Sequence, residues 1–406
     1  MTMNRYFGDL HVHIGRTLSG YPVKVTAARS QTIPGVLEEA AQRKGLNILG
    51  IVDAACPRLC SELEDLVAEG TARELAGGGL RYQDSLTLIP GAEVETTEEN
   101  GGAAHWLAYF PTLDALRSFS CFLSEHITNP ELSTQRCRLP ARVILDEVVA
   151  RSGIFMPAHA FTPHKGVYGC CTHRLTALLG EQGFSKIFAL ELGLSADTGL
   201  ADHLSEVAEF TFLSNSDAHS LKNLGREYNL LLLAEPSFAE LVMALQKKEG
   251  RMVLANFGLD PRLGKYHRTQ CLSCGRIAEA SPPVATCPDC GSPKVVKGVL
   301  DRIIEIGDWK EPSSPQGRPP YHYQVPLLFL PGVGPKTISL LLASFGTEMN
   351  VLHHVRYEEL VSVVGERVAL TIQQARQGKL IFNPGGGGTY GKVVPTVRRE
   401  TGVSDG

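Results

Sequence analysis

Two histidines near the start of the chain have the spacing of a metal-binding pair. His11 and His13 follow Asp9 in residues 8–13 (GDLHVH), where the intervening residues are apolar enough for a buried strand. Side chains at i and i+2 lie on one face of a strand, so these three polar groups share a face. Buried polar groups need partners. A metal ion would satisfy both imidazoles, but two hydrogen-bonded histidines explain this segment equally well.

Further polar side chains lie at or beside the ends of later predicted strands. They are Asp53, Glu93, His105, His159, Asp217 and His219. Imidazoles and carboxylates suit divalent zinc, manganese, magnesium or iron. With His11 and His13, the set is too large for one ion, so it predicts two or three active-site ions with Glu93 as a bridging carboxylate. Each histidine alone is better explained as structural, and the prediction depends on their recurrence at strand ends.

The elements that must position these residues alternate between short apolar runs and amphipathic stretches. The predicted strands are Asn47–Val52, Leu86–Pro90, Trp106–Phe110, Ile154–Pro157, Ile187–Leu192, Phe210–Leu213 and Leu230–Leu233. The predicted helices include Ile33–Lys44, Leu139–Arg151, Leu200–Glu209 and Ser237–Lys248. This alternation predicts an α/β fold with a parallel sheet, and the number of units favours a distorted (β/α)7-type barrel. The carboxyl ends of barrel strands meet on one face, where active sites lie.

Four cysteines form two pairs with the spacing of a zinc ribbon. Twelve residues separate the first pair, Cys271 and Cys274, from the second pair, Cys287 and Cys290. Each pair is followed by glycine, which permits a tight turn with backbone N–H groups facing the thiolates. Four thiolates predict a closed, structural zinc site that supplies folding energy to a short segment. A redox pair or an iron–sulfur site is the alternative.

The C-terminal part contains a candidate phosphate-binding turn. Gly332, Gly334 and Lys336 precede a helix-patterned run, Thr337–Phe345. Helix N-terminal N–H groups can bind a phosphate, and Lys336 adds a charge. The segment resembles the helix-hairpin-helix element of DNA repair proteins, although an ordinary helix connector is the alternative. The predicted domains are residues 1–255 (catalytic), 256–300 (zinc ribbon), 301–320 (linker), 321–395 (helical, DNA-binding) and 396–406 (flexible tail).

The overall composition is that of a soluble globular protein. The chain has 406 residues, 43% hydrophobic and 20% charged. It shows neither an apolar run of about 20 residues nor a signal-peptide pattern, so we expect a cytoplasmic protein without a membrane partner. Its thiols fit a reducing compartment. Residues 1–250 hold 21 basic and 30 acidic residues, whereas residues 251–406 hold 18 and 13, which favours a polyanionic partner for the second part. A monomer is the default expectation.

The N-terminal motifs resemble those of the PHP (polymerase and histidinol phosphatase) superfamily. The matching segments are residues 8–13 (GDLHVH), 90–93 (PGAE), 157–159 (PAH) and 216–219 (SDAH). The resemblance covers residues 1–255. It implies that His11, His13, Glu93 and Asp217 hold one metal and carry the catalysis, that Glu93, His105 and His159 hold a second, and that His219 contributes to a third.

The third metal site departs from this family's pattern. Ala54 occupies a position where the family often has a histidine. The family also has a third histidine a few residues after the His-x-His pair, and residues 18–20, where it would fall, contain none. Asp53, Asp9 or Cys56 are the candidates to compensate. The number of ions therefore stays open between two and three.

The whole combination of barrel, ribbon and hairpin resembles the endonuclease Q family of DNA repair nucleases. The resemblance implies a metal-dependent endonuclease that nicks duplex DNA 5′ to uracil, hypoxanthine, xanthine or an abasic site. Lys165 and Tyr168, in the loop after His159, are candidate DNA contacts. The alternatives are a phosphoesterase acting on a small phosphorylated metabolite and a DNA-binding protein with a partly decayed active site. Any sliding-clamp partner stays open.

Overall fold

The computed structural model describes residues 2–394, and the expected flexible tail, residues 396–406, lies outside them. The strands are β1 (Asn4–Val12), β2 (Ile48–Ile51), β3 (Ala72–Glu74), β4 (Leu80–Tyr82), β5 (Leu86–Thr97), β6 (Ala103–Tyr109), β7 (Ile154–Pro157), β8 (Ala189–Glu191), β9 (Thr211–Leu213), β10 (Tyr228–Leu233), β11 (Met252–Gly258), β12 (Gln270–Cys271), β13 (Val295–Val296), β14 (Tyr321–Tyr323), β15 (Ile381–Asn383) and β16 (Lys392–Val394). The helices are α1 (Ile33–Glu38), α2 (Pro57–Ala68), α3 (Leu113–Ser124), α4 (Ala141–Ala150), α5 (Leu175–Phe184), α6 (Thr198–Ala201), α7 (Phe238–Leu245), α8 (Val299–Ile306), α9 (Pro335–Phe345), α10 (Glu348–His353) and α11 (Tyr357–Arg376).

The main sheet is mixed. The alternating pattern of the sequence predicts a parallel sheet, and this prediction is wrong for most strand pairs. Its order is β14-β11-β10-β1-β2-β5-β4-β3, with β6 paired to β5 and β7 to β6. The pairs β1–β2 and β2–β5 are parallel, whereas β1–β10, β10–β11, β5–β6 and β6–β7 are antiparallel. The physical reason is clearest for β5 and β6: only five residues join them, and so short a connection permits only an antiparallel hairpin.

The strand ends nevertheless converge, as expected for an α/β active site. Backbone hydrogen bonds tie the segment after β1 to the segment after β9, through His13 N and Ala218 O at 3.1 Å. They also tie β5 to the end of β2, through Glu93 N and Val52 O at 2.6 Å. β6 starts earlier than predicted, so His105 lies inside this strand, opposite Glu95.

Two predicted helices are shorter than their amphipathic patterns. The stretch predicted as Leu200–Glu209 is divided between α6 and a 3-10 turn, Ser205–Val207. The stretch Ile33–Lys44 changes from α1 to a π-helical turn at Glu39–Lys44. Tertiary packing overrides the helical period in both places.

The C-terminal part packs closely against the N-terminal part. The predicted linker region contains most of α8, and β14 extends the main sheet by pairing in parallel with β11. Lys44 Nζ lies 2.9 Å from Glu348 Oε1 in α10, and both side chains are buried. The ring of His353 stacks on Phe7 with a centroid distance of 4.7 Å.

Across residues 2–394, no helix combines the length and hydrophobicity needed to cross a bilayer.

Candidate metal centre

A pair of buried histidines at the end of β1 forms the centre of the candidate site. The Nε2 atoms of His11 and His13 lie 3.2 Å apart. Their Nδ1 atoms lie 2.8 Å from Glu191 Oε2 and 2.9 Å from Asp53 Oδ1, respectively, which assigns both Nδ1 atoms as donors. The two Nε2 atoms then face each other, where they can share a proton or bind one cation together. The separation suits two ligands of one ion with metal–nitrogen distances of about 2.0–2.1 Å.

The field of the surrounding carboxylates favours positive charge at this position. Burial lowers the pKa of His11, but attraction from Glu191 and Asp217 outweighs burial and raises that pKa to about 10. The site therefore attracts protons or, in competition with them, a metal ion.

Glu93, on β5, lies between two groups of histidines. Its Oε1 atom is 2.9 Å from His105 Nδ1 and 3.3 Å from His159 Nε2, and its Oε2 atom is 3.6 Å from His13 Nε2. Burial opposes ionisation, but His105 and Lys24 outweigh it and hold the pKa of Glu93 well below its usual value. The Oε1 atom of Glu93 is also 3.6 Å from His11 Nε2, so this ionised carboxylate faces both groups, as a metal bridge would.

Asp217 and His219 enter the centre from the segment after β9. Asp217 Oδ1 lies 3.4 Å from His13 Nε2 and 3.6 Å from His11 Nε2. The backbone of Asp217 has φ 45°, an unusual conformation for a non-glycine residue that aims its carboxylate inward. Burial and the neighbouring His13 lower the pKa of His219 to about 4, so this imidazole is neutral and able to bind a metal.

Among the described residues, the possible ligands form three overlapping groups. Within each group, one ligand atom of each residue lies within 4.8 Å of the others. The groups are His11–His13–Glu93, His13–Asp217–His219 and Glu93–His105–His159. The mixed nitrogen and oxygen donors fit divalent transition metals. Asp53 lies behind His13: its Oδ1 atom accepts from His13 and Ser133, and its Oδ2 atom accepts from the Ile14 amide at 2.5 Å. Asp53 was a predicted ligand, but it belongs to none of these three groups and instead holds the His13 imidazole in its orientation.

Three residues that the sequence did not single out contact this centre. Glu191 is the lone acidic residue of an apolar predicted strand, a signal that could have identified it. Glu95 lies two residues after Glu93 on the same strand, and its Oε2 atom is 3.3 Å from His105 Nε2. Lys24 Nζ lies 2.9 Å from Glu93 Oε2, and it comes from a loop without periodic pattern, which offered no signal.

The two predicted DNA contacts in the loop after β7 have different surroundings. Lys165 is partly exposed and donates to Glu95 Oε1 at 2.7 Å, where Arg136 also donates at 2.9 Å. Tyr168 is fully buried, and its hydroxyl donates to Glu206 at 2.7 Å. The burial leaves Tyr168 without a surface for DNA.

A cavity of about 120 Å³ opens beside the metal centre. His159 and Asp217 form its inner wall, and Lys265, Tyr266 and Tyr390 contribute from the C-terminal part. The Lys265 ammonium lies 5.0 Å from the ring centroid of Tyr266 and 5.8 Å from that of Tyr390. An aromatic, cationic wall next to candidate metal ligands suits a planar group attached to a phosphate.

The four cysteines of the predicted ribbon come together as a cluster. The Sγ atoms of Cys271 and Cys290 lie 3.7 Å apart, and those of Cys274 and Cys287 lie 3.6 Å apart. Hydrogen bonds to its sulfur, led by that from the Cys274 amide, lower the pKa of Cys271 to about 6. Clustered sulfurs with a stabilised thiolate suggest a structural zinc site.

The candidate phosphate-binding turn begins α9. Gly334 is the N-cap residue of this helix, and Gly332 has φ 84°, a conformation that favours glycine. Lys336 is exposed in the first turn. The segment before it is a single 3-10 turn, Leu327–Phe329, and a full first helix of a helix-hairpin-helix is not found among the described residues.

Sequence comparisons relate the chain to other proteins. Residues 198–249 match the family model described as PHP-associated. The uncharacterised protein YqxK of Bacillus subtilis (strain 168) is 45% identical over 395 residues, which cover 97% of this chain and 100% of YqxK. An uncharacterised protein of Methanocaldococcus jannaschii is 39% identical over 224 residues, 50% of this chain and 28% of that protein.

Structural comparisons extend over nearly the whole chain. The lesion-specific endonuclease PfuEndoQ from Pyrococcus furiosus superimposes with a TM-score of 0.81 and 34% identity, covering 96% of this chain and 95% of PfuEndoQ. An endonuclease Q complex with a 27-mer duplex substrate, with an abasic lesion at the active site, also has a TM-score of 0.81, with 33% identity over 98% of this chain and 99% of that one.

Proposed function

The chain belongs to the endonuclease Q family of lesion-specific endonucleases, and on that premise we propose that it nicks duplex DNA at the phosphodiester 5′ to a deaminated base or an abasic site. The observation that carries the proposal is the buried His11–His13 pair, bridged through Glu93 to a second histidine pair, in a chain that aligns end to end with a nuclease. The proposed lesions are uracil, hypoxanthine, xanthine and the abasic site.

The chemistry follows from the ligand arrangement. We assign His11, His13, Glu93 and Asp217 to one ion and Glu93, His105 and His159 to a second. His219, which lies with His13 and Asp217, is assigned to a third ion where one binds. Divalent ions held by these residues would supply hydroxide near neutral pH and charge stabilisation for the departing 3′ oxygen. The role of the carboxylates is to hold the site anionic and the imidazoles in the right tautomer. We expect 3′-hydroxyl and 5′-phosphate ends.

The cavity beside His159 and Asp217 is the proposed site for the damaged nucleotide. A base stacked in a duplex has to be flipped out to reach it, which costs least for weakly paired bases. Tyr266 and Tyr390 offer ring faces for stacking, and Lys265 offers a charge for the flanking phosphate. Lesion preference would then depend on contacts in this cavity.

The C-terminal part is proposed to bind DNA outside the lesion. The start of α9, with Gly332, Gly334 and Lys336, is the proposed phosphate contact of a shortened helix-hairpin-helix. Residues 256–300 would form a zinc-stabilised ribbon between this part and a catalytic domain of residues 1–255. We propose a cytoplasmic location, because ten thiols in a chain of this length fit a reducing compartment.

The test is an assay on labelled duplexes that contain one uracil, hypoxanthine, xanthine or abasic site, with manganese, magnesium or zinc supplied. We expect a single nick 5′ to the lesion and none in an undamaged duplex. Asp217→Asn should abolish nicking while retaining duplex binding. Hydrolysis of a small phosphomonoester, with no nick in any damaged duplex, would refute the proposal in favour of a metabolite phosphoesterase.

A further inference from the structure

Asp217 lies on a loop whose two ends are tied together by a buried carboxylate. The loop comprises residues 214–227 and joins β9 to β10. Asp9 Oδ1 accepts from the amide of Ser216 at 3.0 Å, and Asp9 Oδ2 accepts from the amide of Gly225 at 2.9 Å. Asp9 is fully buried, so water does not compete for these bonds. The carboxylate holds amides of the loop, and the carbonyl groups near Asp217 need a different partner.

Arg226, at the end of this loop, is the partner of those carbonyl groups. Its Nε atom donates to Ser216 O at 2.7 Å, and its Nη2 atom donates to Asp217 O at 3.4 Å. The backbone of Asp217 has φ 45°, and a non-glycine residue stays in that region only where its surroundings hold it there. The planar guanidinium contacts both carbonyl oxygens and so supports the backbone that directs the Asp217 carboxylate toward the histidines.

The same guanidinium also contacts the C-terminal part of the chain. Arg226 Nη1 donates to the hydroxyl of Tyr390 at 3.3 Å, across 164 positions in the sequence. The Arg226 Cζ atom lies 5.7 Å from the centroid of the Tyr390 ring. These hydrogen-bond acceptors are neutral oxygens, so the directions of the N–H groups matter as well as the charge. One side chain thus connects the wall of the cavity to a candidate metal ligand.

Tyr390 is held in place by the C-terminal hairpin, which consists of β15, β16 and the intervening residues 384–391. The two strands pair in antiparallel register. The amide of Gly388 donates to Lys265 O at 3.0 Å, and other amides of the same turn donate to the residues just before Lys265. Lys265 itself lies in the cavity wall. The position of the Tyr390 hydroxyl therefore depends on how the C-terminal hairpin is docked.

We propose that Arg226 is a positioning residue that couples the C-terminal hairpin to Asp217, so that docking of the hairpin through the Tyr390 hydroxyl keeps the Asp217 carboxylate in place. The inference rests on the proposed function for the role of Asp217. It gives Tyr390 a second role, which uses its hydroxyl and is separate from stacking by its ring. The C-terminal part then contributes to the rate of nicking and not to duplex binding alone.

The competing explanation is that Arg226 binds a phosphate of the DNA. Its surroundings oppose this, because the side chain directs N–H groups at Ser216, Asp217 and Tyr390 and the residue is only 7% exposed. A phosphate contact would need exposed N–H groups, and it would depend mainly on charge. Arg226→Lys therefore separates the two explanations, since lysine keeps the charge but not the planar fork.

The test separates the nicking rate from duplex binding. Whole protein in excess is mixed with a labelled duplex carrying one abasic site, and manganese starts a single turnover. Tyr390→Phe keeps the ring but removes the hydroxyl, and it should slow nicking about 3- to 10-fold, the effect of one hydrogen bond. Arg226→Met and Arg226→Lys should each slow nicking about 10- to 100-fold. Duplex affinity should be unchanged in all three variants.

A second measurement does not depend on nicking. Amide hydrogen exchange of residues 214–219 in the free protein should become faster in Tyr390→Phe and in Arg226→Met, because the loop loses a support. Unchanged exchange in β6 shows that each variant is folded. Tyr323→Phe is the matched control, because it removes a hydroxyl that donates to Asp197 at 2.8 Å, and it should alter neither the nicking rate nor the exchange.

Wild-type nicking by Arg226→Lys, together with weaker duplex binding by Arg226→Met, would overturn the inference in favour of a phosphate contact. Equal rates and equal exchange in Tyr390→Phe and Tyr323→Phe would also overturn it, because the hydroxyl would then not be coupled to the loop. If the wild type nicks no damaged duplex while exchange of residues 214–219 becomes faster in Tyr390→Phe alone of these two, the coupling stands and the proposed function is rejected.

Discussion

The Nδ1 atom of His11 lies 2.8 Å from the Oε2 atom of Glu191, and neither side chain is exposed to solvent. The two residues are 180 positions apart in the chain. The hydrogen bond places the ring proton on Nδ1 and so aims the Nε2 lone pair at the metal centre. Asp53 orients the His13 ring in the same way. Both imidazoles are therefore oriented by carboxylates that only the tertiary structure brings next to them.

Removing the charge of Glu191 should weaken metal binding. Glu191→Gln is expected to lower the affinity for manganese by about 10- to 100-fold, the usual effect of losing an outer-layer carboxylate. Calorimetric titration of the metal-free protein measures it. Glu240→Gln is the control, because the carboxylate of Glu240 pairs with Arg251 at 2.9 Å and not with a candidate metal ligand. Equal affinities in the two variants would show that Glu191 does not support the ligand.

Metal affinity should fall as the pH falls. Burial lowers the pKa of His11 and of His105, but the nearby carboxylates outweigh it and raise these values to about 10 and about 9. Both imidazoles therefore carry protons near neutral pH in the metal-free protein, and an incoming ion has to displace them. From about pH 6 to 8, the apparent affinity should rise about tenfold per pH unit for each proton released. Competition with a chelator measures this, and a flat profile would contradict it.

Breaking the cysteine cluster should release zinc without affecting the active site. Cys287→Ser is expected to lose one zinc ion per chain and to increase amide hydrogen exchange in residues 270–296, because the short β12 and β13 carry little core of their own. Cys121→Ser is the control, since Cys121 is exposed and outside the cluster. Retention of zinc by Cys287→Ser would exclude this cysteine as a ligand.

Lys336 should contribute to DNA binding independently of the lesion. Lys336→Ala is expected to weaken binding of damaged and undamaged duplexes by the same factor. The slope of log affinity against log salt concentration should become shallower by about one, the effect of losing one phosphate contact. Fluorescence anisotropy at several salt concentrations measures both. Lys248→Ala, an exposed lysine outside the C-terminal part, should change neither. A loss confined to lesion duplexes would contradict a positioning role.

The buried ion pair between Lys44 and Glu348 should matter for stability. Lys44→Met is expected to lower the free energy of unfolding by about 3 to 5 kcal/mol, because it leaves Glu348 buried without its partner. The double change Lys44→Met with Glu348→Leu should recover much of this loss. Chemical denaturation measures it. Arg73→Met breaks an exposed pair with Asp84 and should cost less than about 1 kcal/mol. A cost equally small for Lys44→Met would mean that water reaches Glu348.

Local spacing was enough to predict several parts of the molecule. His11 and His13 share a strand face because a strand repeats every two residues, and the four cysteines cluster because two tight turns bring their thiols together. Most predicted strands are present with shifted ends, as β6 illustrates at His105. The sequence could not distinguish a mixed sheet from a parallel one, because strand direction depends on how connections cross the sheet.

The sequence by itself determined which side chains could bind a metal, since ligand type and strand period are local properties. Only the tertiary structure decided how these ligands are oriented and how charge is balanced. Glu191 reaches His11 across 180 positions, and Lys24 reaches Glu93 across 69. Such pairings depend on the order of strands in the sheet and the path of one loop, which no periodicity encodes. The His11–His13 pair was visible as a motif, but the ammonium and carboxylates around it were not.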